Sequence, residues 1–232
     1  MSTARPSLRL GAAERERLRA GAAELSVELD RTALSRLVRY VDLLDRWRSS
    51  ANLISCRSAD ELIERHLLDA LVCAWPCAAA SAVADLGSGA GLPGLPLAIV
   101  APERRTLLVE PRRRRASFLR EVKRELDLPH VQVVPVRVEE FAHVEVEPVD
   151  VAVSRAVWSD DRMLRFAAPW IREGGLLFCL RSLTHARPPA PPFVLEQSPE
   201  YHPSPRIHRR LDVYRKPSTS TECFGIVHLT KD

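Results

Sequence analysis

The chain has 232 residues, 46% of them hydrophobic, enough to bury the core of one large domain or of one domain with an appendage. Its 34 Lys and Arg against 30 Asp and Glu leave a formal net charge of +4, which excludes a histone-like polycation and confines any nucleic-acid surface to a local patch. Five scattered cysteines (Cys56, Cys73, Cys77, Cys179, Cys223) make no disulfide framework, and no leader pattern or long apolar run stands in the sequence, so a reducing cytoplasm is expected.

Residues 1–11 are polar and contain proline, the composition of a frayed end. From Ala12 to about Val27 the pattern is weakly helical, with Leu18, Ala22 and Leu25 on one side. Asp30 opens a stronger helix, in which Leu34, Leu37, Val38, Val41, Leu44 and Trp47 recur at three- and four-residue steps. Ser58 with Glu61 has the spacing of a capping box, and the helix behind it turns Leu62, Ile63, His66, Leu67, Ala70, Leu71 and Ala74 inward before stopping near Trp75-Pro76. Cys73 and Cys77 lie four residues apart on it. No second Cys/His pair follows at zinc spacing, so they read as small core residues and no metal is expected. Residues 1–78 are therefore expected as an N-terminal helical unit, too small and too one-sided to stand alone.

From residue 82 the texture changes to alternating strands and helices. Strands are predicted at 82–86, 106–110, 131–136, 149–154 and 175–180, with helices at 91–101, 112–127 and 158–171. This repetition argues an α/β fold with a parallel, doubly wound sheet over residues 79–232. Pro135 marks the third strand as an edge strand or one that ends early. Residues 187–192 are a Pro-rich extended segment. Two late strands, near 209–215 and 223–229, are predicted as an antiparallel pair at the sheet edge.

Four of the nine glycines fall at Gly87, Gly89, Gly91 and Gly94, directly after the strand that ends in Asp85-Leu86. Glycine supplies positive φ and lets backbone approach a ligand closely. Leu92 stands where a dinucleotide fingerprint wants its third glycine, and no Gly-Lys-Ser/Thr follows, so dinucleotide and P-loop sites are both excluded. A Gly-x-Gly-x-Gly turn after an acid suits a nucleoside ligand without pyrophosphate, such as S-adenosylmethionine, with Asp85 serving its polar groups directly or through water. Glu110, at the end of the second strand, is placed to accept both ribose hydroxyls. Val138 and Glu139, after the third strand, are candidates to read the adenine edge.

With these residues in hand, the sequence resembles the bacterial 16S ribosomal RNA guanine-N7 methyltransferases, the RsmG family, formerly called glucose-inhibited division protein B. The resemblance runs from about residue 36 to 180. It is carried by Trp47 with Asn52-Leu53-Ile54-Ser55, by Arg65-His66-Leu67-Leu68-Asp69, and by the Gly-x-Gly-x-Gly-Leu-Pro-Gly-x-Pro loop that ends at Pro96. Glu110-Pro111, Arg115 with Phe118-Leu119, Arg137 with Glu139-Glu140, and Ser154-Arg155-Ala156 follow in the family's order. The family's fifth strand usually ends in Lys-Gly, and here Arg181-Ser182 stands instead.

The resemblance implies a Rossmann-like S-adenosylmethionine-dependent methyltransferase sheet behind a small helical domain. It implies S-adenosyl-L-methionine as donor, and as partner a guanine of 16S ribosomal RNA, free or in the small subunit; no membrane partner and a monomeric chain are expected. Cofactor contacts carried over by position fall on Gly87, Leu92, Val138, Glu139 and Arg155; the residues' own reading adds Asp85, Gly89 and Glu110. His66, Asp69 and Asn52 are expected to line the face where RNA enters, with His66, Asp69 and Arg155 contributing to positioning. No general base is expected, because guanine N7 carries a lone pair and no proton. RNA affinity is expected from arginines: the run Arg112 to Arg115 and a tail cluster of Arg206, Arg209, Arg210, Arg215 and Lys216. An inactive RNA-binding paralogue and a small-molecule methyltransferase remain alternatives, and the latter predicts no steep salt dependence of substrate affinity.

Overall fold

The computed structural model describes residues 6–155, 161–184, 192–204 and 207–218. Asp30 caps the second helix as its side chain dictates, accepting from the Ala33 N–H at 2.6 Å. That helix, α2 (Arg31–Trp47), follows α1 (Ala12–Glu24). Leu37, Tyr40, Val41, Leu43 and Leu44 form its buried stripe. Ser58 caps α3 (Ala59–Leu62) by accepting from Glu61 N at 3.1 Å. The reciprocal bond differs from the expected box: the Glu61 carboxylate takes the N–H of Arg57 at 2.8 Å, one residue before the cap. A single π-helical turn, Ile63–Leu67, joins α3 to α4 (Leu68–Leu71).

The sheet holds β1 (Ala82–Leu86), β2 (Arg105–Val109), β3 (Val131–Val134), β4 (Val149–Arg155), β5 (Ile171–Ser182), β6 (Val194–Gln197), β7 (Glu200–Ser204) and β8 (Ile207–Arg215). Their order is β3-β2-β1-β4-β5-β8-β6, and β7 also pairs with β8. The first five are parallel, whereas β8 runs antiparallel to β5 and carries β6 and β7 antiparallel to itself. Pro135 lies just past the end of β3, which is the edge strand, as a residue without an N–H requires. The helices α5 (Gly94–Val100), α6 (Arg113–Glu125) and α7 (Asp161–Ala167) connect the parallel strands.

Central β1 is buried throughout, as a parallel strand covered on both faces must be. Its alternation assigns the faces. Ala82, Ala84 and Leu86 pack with Leu164 and Trp170, whereas Val83 packs with Cys73, Cys77 and Leu97. Both cysteines are buried free thiols, and burial pushes Cys77 up to about 12. Among the described residues no cluster could hold a metal, and no helix is long and apolar enough to cross a membrane.

The first helices share one apolar cluster with α5 and α6, through Leu18, Leu37, Leu44 and Leu71 on one side and Leu95, Ile99, Phe118 and Leu119 on the other. One polar bond pins this packing to the glycine loop: buried Tyr40 donates its hydroxyl to the Ala90 carbonyl at 2.8 Å. Replacing Tyr40 by Phe keeps the ring contacts and leaves that carbonyl without its partner. Urea unfolding should then show a loss of roughly 1–2 kcal/mol, and unchanged stability would remove the bond from the account.

Several sequence expectations change. The predicted helix 12–27 ends at Glu24, and 91–101 begins only at Gly94, because positive-φ glycines occupy the preceding turn. The predicted third strand stops at Val134, and the fifth runs from Ile171 to Ser182. The helix expected at 158–171 is α7 plus a 3-10 turn at Ala168–Trp170. The strand expected at 209–215 is present as β8, but its ladder partners are β5, β6 and β7; the predicted partner at 223–229 lies outside the described residues, as do 187–191 of the Pro-rich segment. Short β6 and β7 were not foreseen.

Candidate functional site

The strand order reverses between β1 and β4, and the C-terminal ends of β1, β2, β4 and β5 open there into a cavity of about 740 Å³. Its floor is the glycine loop. Gly87, Gly89 and Gly91 have φ of 80°, 56° and 86°, which disfavours any side chain at these positions. The N–H groups of Gly87 and Ser88 both donate to the Val109 carbonyl at 2.9 Å, so the loop is tied to the end of β2.

Asp85 sits beneath this loop. It is 1% exposed and does not line the cavity; its Oδ2 accepts from the Gly94 N–H at 2.9 Å. A Cβ on Gly94 would come within 2.7 Å of the Asp85 side chain, so only glycine brings the start of α5 this close. Burial pushes the Asp85 carboxyl up to about 7, against the lowering pull of the Gly94 N–H, Arg155 and Ser88. Its Oδ1 is buried without a partner. Of the two routes expected for Asp85, direct or through water, the lining leaves direct contact unsupported; its carboxylate holds the start of α5 and shapes the loop.

Glu110 stands at the cavity wall as expected. Its Oε2 accepts from Gly89 N and its Oε1 from Arg112 N, each at 2.8 Å. A carboxylate has about four lone-pair directions, so two backbone bonds leave acceptor capacity on both oxygens. This carboxylate, the backbone at Gly87 and Gly89, and the size of the cavity fit the ribose and amino-acid parts of a nucleoside sulfonium ligand.

Across the cavity, the end of β4 presents Arg155. Its Nη1 meets His66 Nδ1 at 3.0 Å, the Arg65 carbonyl at 3.3 Å and Asp69 Oδ2 at 3.4 Å. Guanidinium only donates, so His66 Nδ1 must carry a lone pair and its proton sits on Nε2. Burial first, and then the Arg155 charge, lower His66 to about 3, which keeps the ring neutral. Buried Asp69 also accepts from the Tyr201 hydroxyl at 2.8 Å and lies 3.8 Å from Arg209 Nε. Tyr201 belongs to β7, and the chain around it gave no signal of this contact.

At the end of β5, Arg181 lines the same cavity and pairs with Asp212 at 3.3 Å. Asp212 is fully buried and also accepts from Ser198 at 2.6 Å and Arg210 at 2.8 Å. A cation is thus kept at the Lys-Gly position, held by a carboxylate from β8. Cys179 lines the cavity too, and burial pushes its thiol up to about 11, so it is neutral near pH 7.

The structure therefore brings Gly87, Gly89, Leu92, Glu110, His66, Asp69 and Arg155 to one cavity. Asp85, Gly91, Val138 and Glu139 are not on its lining. Val138 is buried, and its carbonyl accepts from Trp170 Nε1 at 2.8 Å; Glu139 is exposed on the 3-10 segment Val138–His143. Asn52 stands beside the cavity, its carbonyl accepting from Arg115 Nη2 at 2.7 Å.

The family model described as rRNA small subunit methyltransferase G (GidB) matches residues 33–187. "Ribosomal RNA small subunit methyltransferase G" of Neisseria gonorrhoeae is 37% identical over 161 residues, 69% of this chain and 76% of that one. The protein of the same name from Pseudomonas paraeruginosa is 41% identical over 160 residues, 69% and 72% of the two chains. Among solved structures, the mitomycin 7-O-methyltransferase MmcR superimposes with a TM-score of 0.52 at 17% identity, over 77% of this chain and 57% of that one. At that identity the likeness speaks to the fold alone.

Proposed function

The chain belongs to the GidB family, rRNA small subunit methyltransferase G, and from that premise we propose that it methylates N7 of a guanine in 16S ribosomal RNA with S-adenosyl-L-methionine as donor. The observation that carries the reading is the single cavity in which the glycine loop and Glu110 face Arg155 and Arg181. When bound, the cofactor supplies an electrophilic methyl group on a sulfonium. Glu110 holds the ribose through the lone pairs its two backbone bonds leave unused. Gly87 and Gly89 let the main chain lie against the amino-acid end. Leu92 forms part of the wall, and Val138 and Glu139 are assigned to the adenine on the resemblance.

N7 needs no deprotonation, so the chain has to position and exclude water, not relay protons. The cavity's titratable groups suit that demand. Arg155 holds the Nδ1 lone pair of His66, Asp69 is committed to Arg155 and Tyr201, and Cys179 is a neutral thiol. The product base carries a positive charge and the donor loses one, so the reaction's net charge is unchanged inside the cavity.

The deciding experiment maps 7-methylguanine on 16S RNA from cells with and without this chain, alongside radiolabelled methyl transfer by the purified protein. Loss of one methylated guanine in the cells that lack it, and transfer in vitro, are expected. Tight cofactor binding with no transfer to free RNA or to the small subunit would sink the enzyme reading and leave an RNA-binding paralogue.

A further inference from the structure

Several surface arginines are matched by acids. Arg17 pairs with Asp60 at 2.8 Å, Arg19 with Glu16 at 2.9 Å, Arg39 with Glu125 at 2.6 Å and Arg65 with Glu61 at 3.1 Å. The tail cluster is consumed inside the fold. Arg210 binds Asp212, Arg215 binds Glu196, and Lys216 Nζ donates to the carbonyls of Ala168 and Ile171 at 2.9 and 2.7 Å. Arg206 lies outside the described residues. The described part of the tail therefore offers far less free positive charge than its composition suggests.

Exposed Arg31, Arg120 and Arg137 also stand outside the ion pairs of the described residues, but singly; the start of α6 differs in setting four such arginines in a row. Among the described residues, Arg112, Arg113, Arg114 and Arg115 make no ion pair. Arg114 Nη1 donates to the Ser50 carbonyl at 3.3 Å and Arg115 Nη2 to the Asn52 carbonyl at 2.7 Å, contacts that orient a guanidinium without neutralising it. Glu110 takes the backbone N–H of Arg112. Further along the same helix, Arg124 is neutralised by Glu121 and Glu125. The densest run of unmatched charge on α6 thus stands at the end that meets the cavity. Positive side chains in a helix's first turn oppose its dipole, so folding alone does not favour this run.

We propose that the RNA strand carrying the target base crosses this flank, its phosphates lying along Arg112–Arg115 as the base enters the cavity between Glu110 and Arg155. The inference rests on the reading of the chain as an RNA methyltransferase. Arg112 and Arg115 also line the cavity wall, so the flank is continuous with the site. The neighbouring groove, about 930 Å³, meets the cavity at Arg209, but its walls include Asp60, Glu61 and Glu64. Arg17 and Arg65 in that groove are spent on Asp60 and Glu61, so it offers a phosphate chain no comparable run of unmatched positive charge. A base reaching into this cavity must leave its stack, so single-stranded or extruded RNA is the form this path accommodates.

The test is equilibrium binding of a 16S RNA transcript across a potassium chloride series, with the full-length protein and two double variants. Arg113→Ala with Arg114→Ala removes two bare charges off the cavity lining. Arg17→Ala with Arg19→Ala removes two matched ones. The first is expected to reduce the slope of log K against log salt by roughly 0.7 to 0.9 per lost phosphate contact and leave cofactor affinity unchanged, and the second is expected to leave the slope at the wild-type value. An unchanged slope in the first variant, or an equal fall in both, overturns the path. Wild-type protein whose binding shows no salt dependence would instead overturn the RNA reading itself.

Discussion

Replacing Glu110 by Ala should weaken binding of S-adenosylmethionine by roughly 1–3 kcal/mol, or about 5- to 150-fold in Kd. Two losses combine. The ribose loses its charged acceptor, and the glycine loop loses the bond from Gly89 N that fixes it against the start of α6. Gln is not a conservative replacement here. The carboxylate meets an N–H on each oxygen, Gly89 on one and Arg112 on the other, whereas an amide accepts on one side only and turns a donor toward the other N–H. Glu110→Gln should therefore resemble Ala more than wild type. Titration calorimetry with the cofactor and its demethylated product measures both. Wild-type affinity in the Ala variant would end the ribose assignment, whatever the RNA result.

Much of this was legible because it depends on local chemistry. Asp30 before an apolar stripe announced α2, and Pro135 announced an edge. The glycines after Asp85 required a turn with positive φ, and the turn's place after a central strand put Glu110 at its side. What escaped depends on partners distant in sequence. Asp85 read as a ligand group, and its bond to the start of α5 depends on the space left by Gly94, nine residues on. Tyr201 serves Asp69 across 132 positions, from a short strand beyond the Pro-rich segment. The tail cations counted as free charge in the sequence, yet Arg210 and Asp212 stand two apart on β8, on one face, and neutralise each other there. The resemblance put Val138 and Glu139 at the adenine. Local structure gives Val138 a packing role and leaves Glu139 exposed, and the cavity lining reaches neither.

The same position of Asp85 predicts an unusual pH dependence. Its carboxyl goes from 3.8 when unfolded to about 7 when folded, a rise caused by burial. Between those values the folded state binds more protons than the unfolded state, so stability falls as pH rises through the window. Below the unfolded value the penalty is absent; above the folded value it is complete, on the order of 4 kcal/mol at 1.36 kcal/mol per unit. Asp85→Asn keeps an oxygen for the Gly94 N–H and removes the ionisation. Relative to wild type, the variant should gain stability steadily from about pH 4 to 7 and hold the gain above it, in urea unfolding at matched pH. Parallel curves would show that Asp85 does not titrate in this window. Asp85→Ala, by contrast, strands the buried Gly94 N–H and should be destabilised at every pH by about 1–3 kcal/mol. A protein that retains an acid where an amide folds better needs a reason for the charge. Cofactor titration of the Asn variant supplies it: a tenfold loss of affinity beside the gain in stability assigns the ionised carboxylate to the cationic cofactor, and unchanged affinity assigns Asp85 to the loop alone.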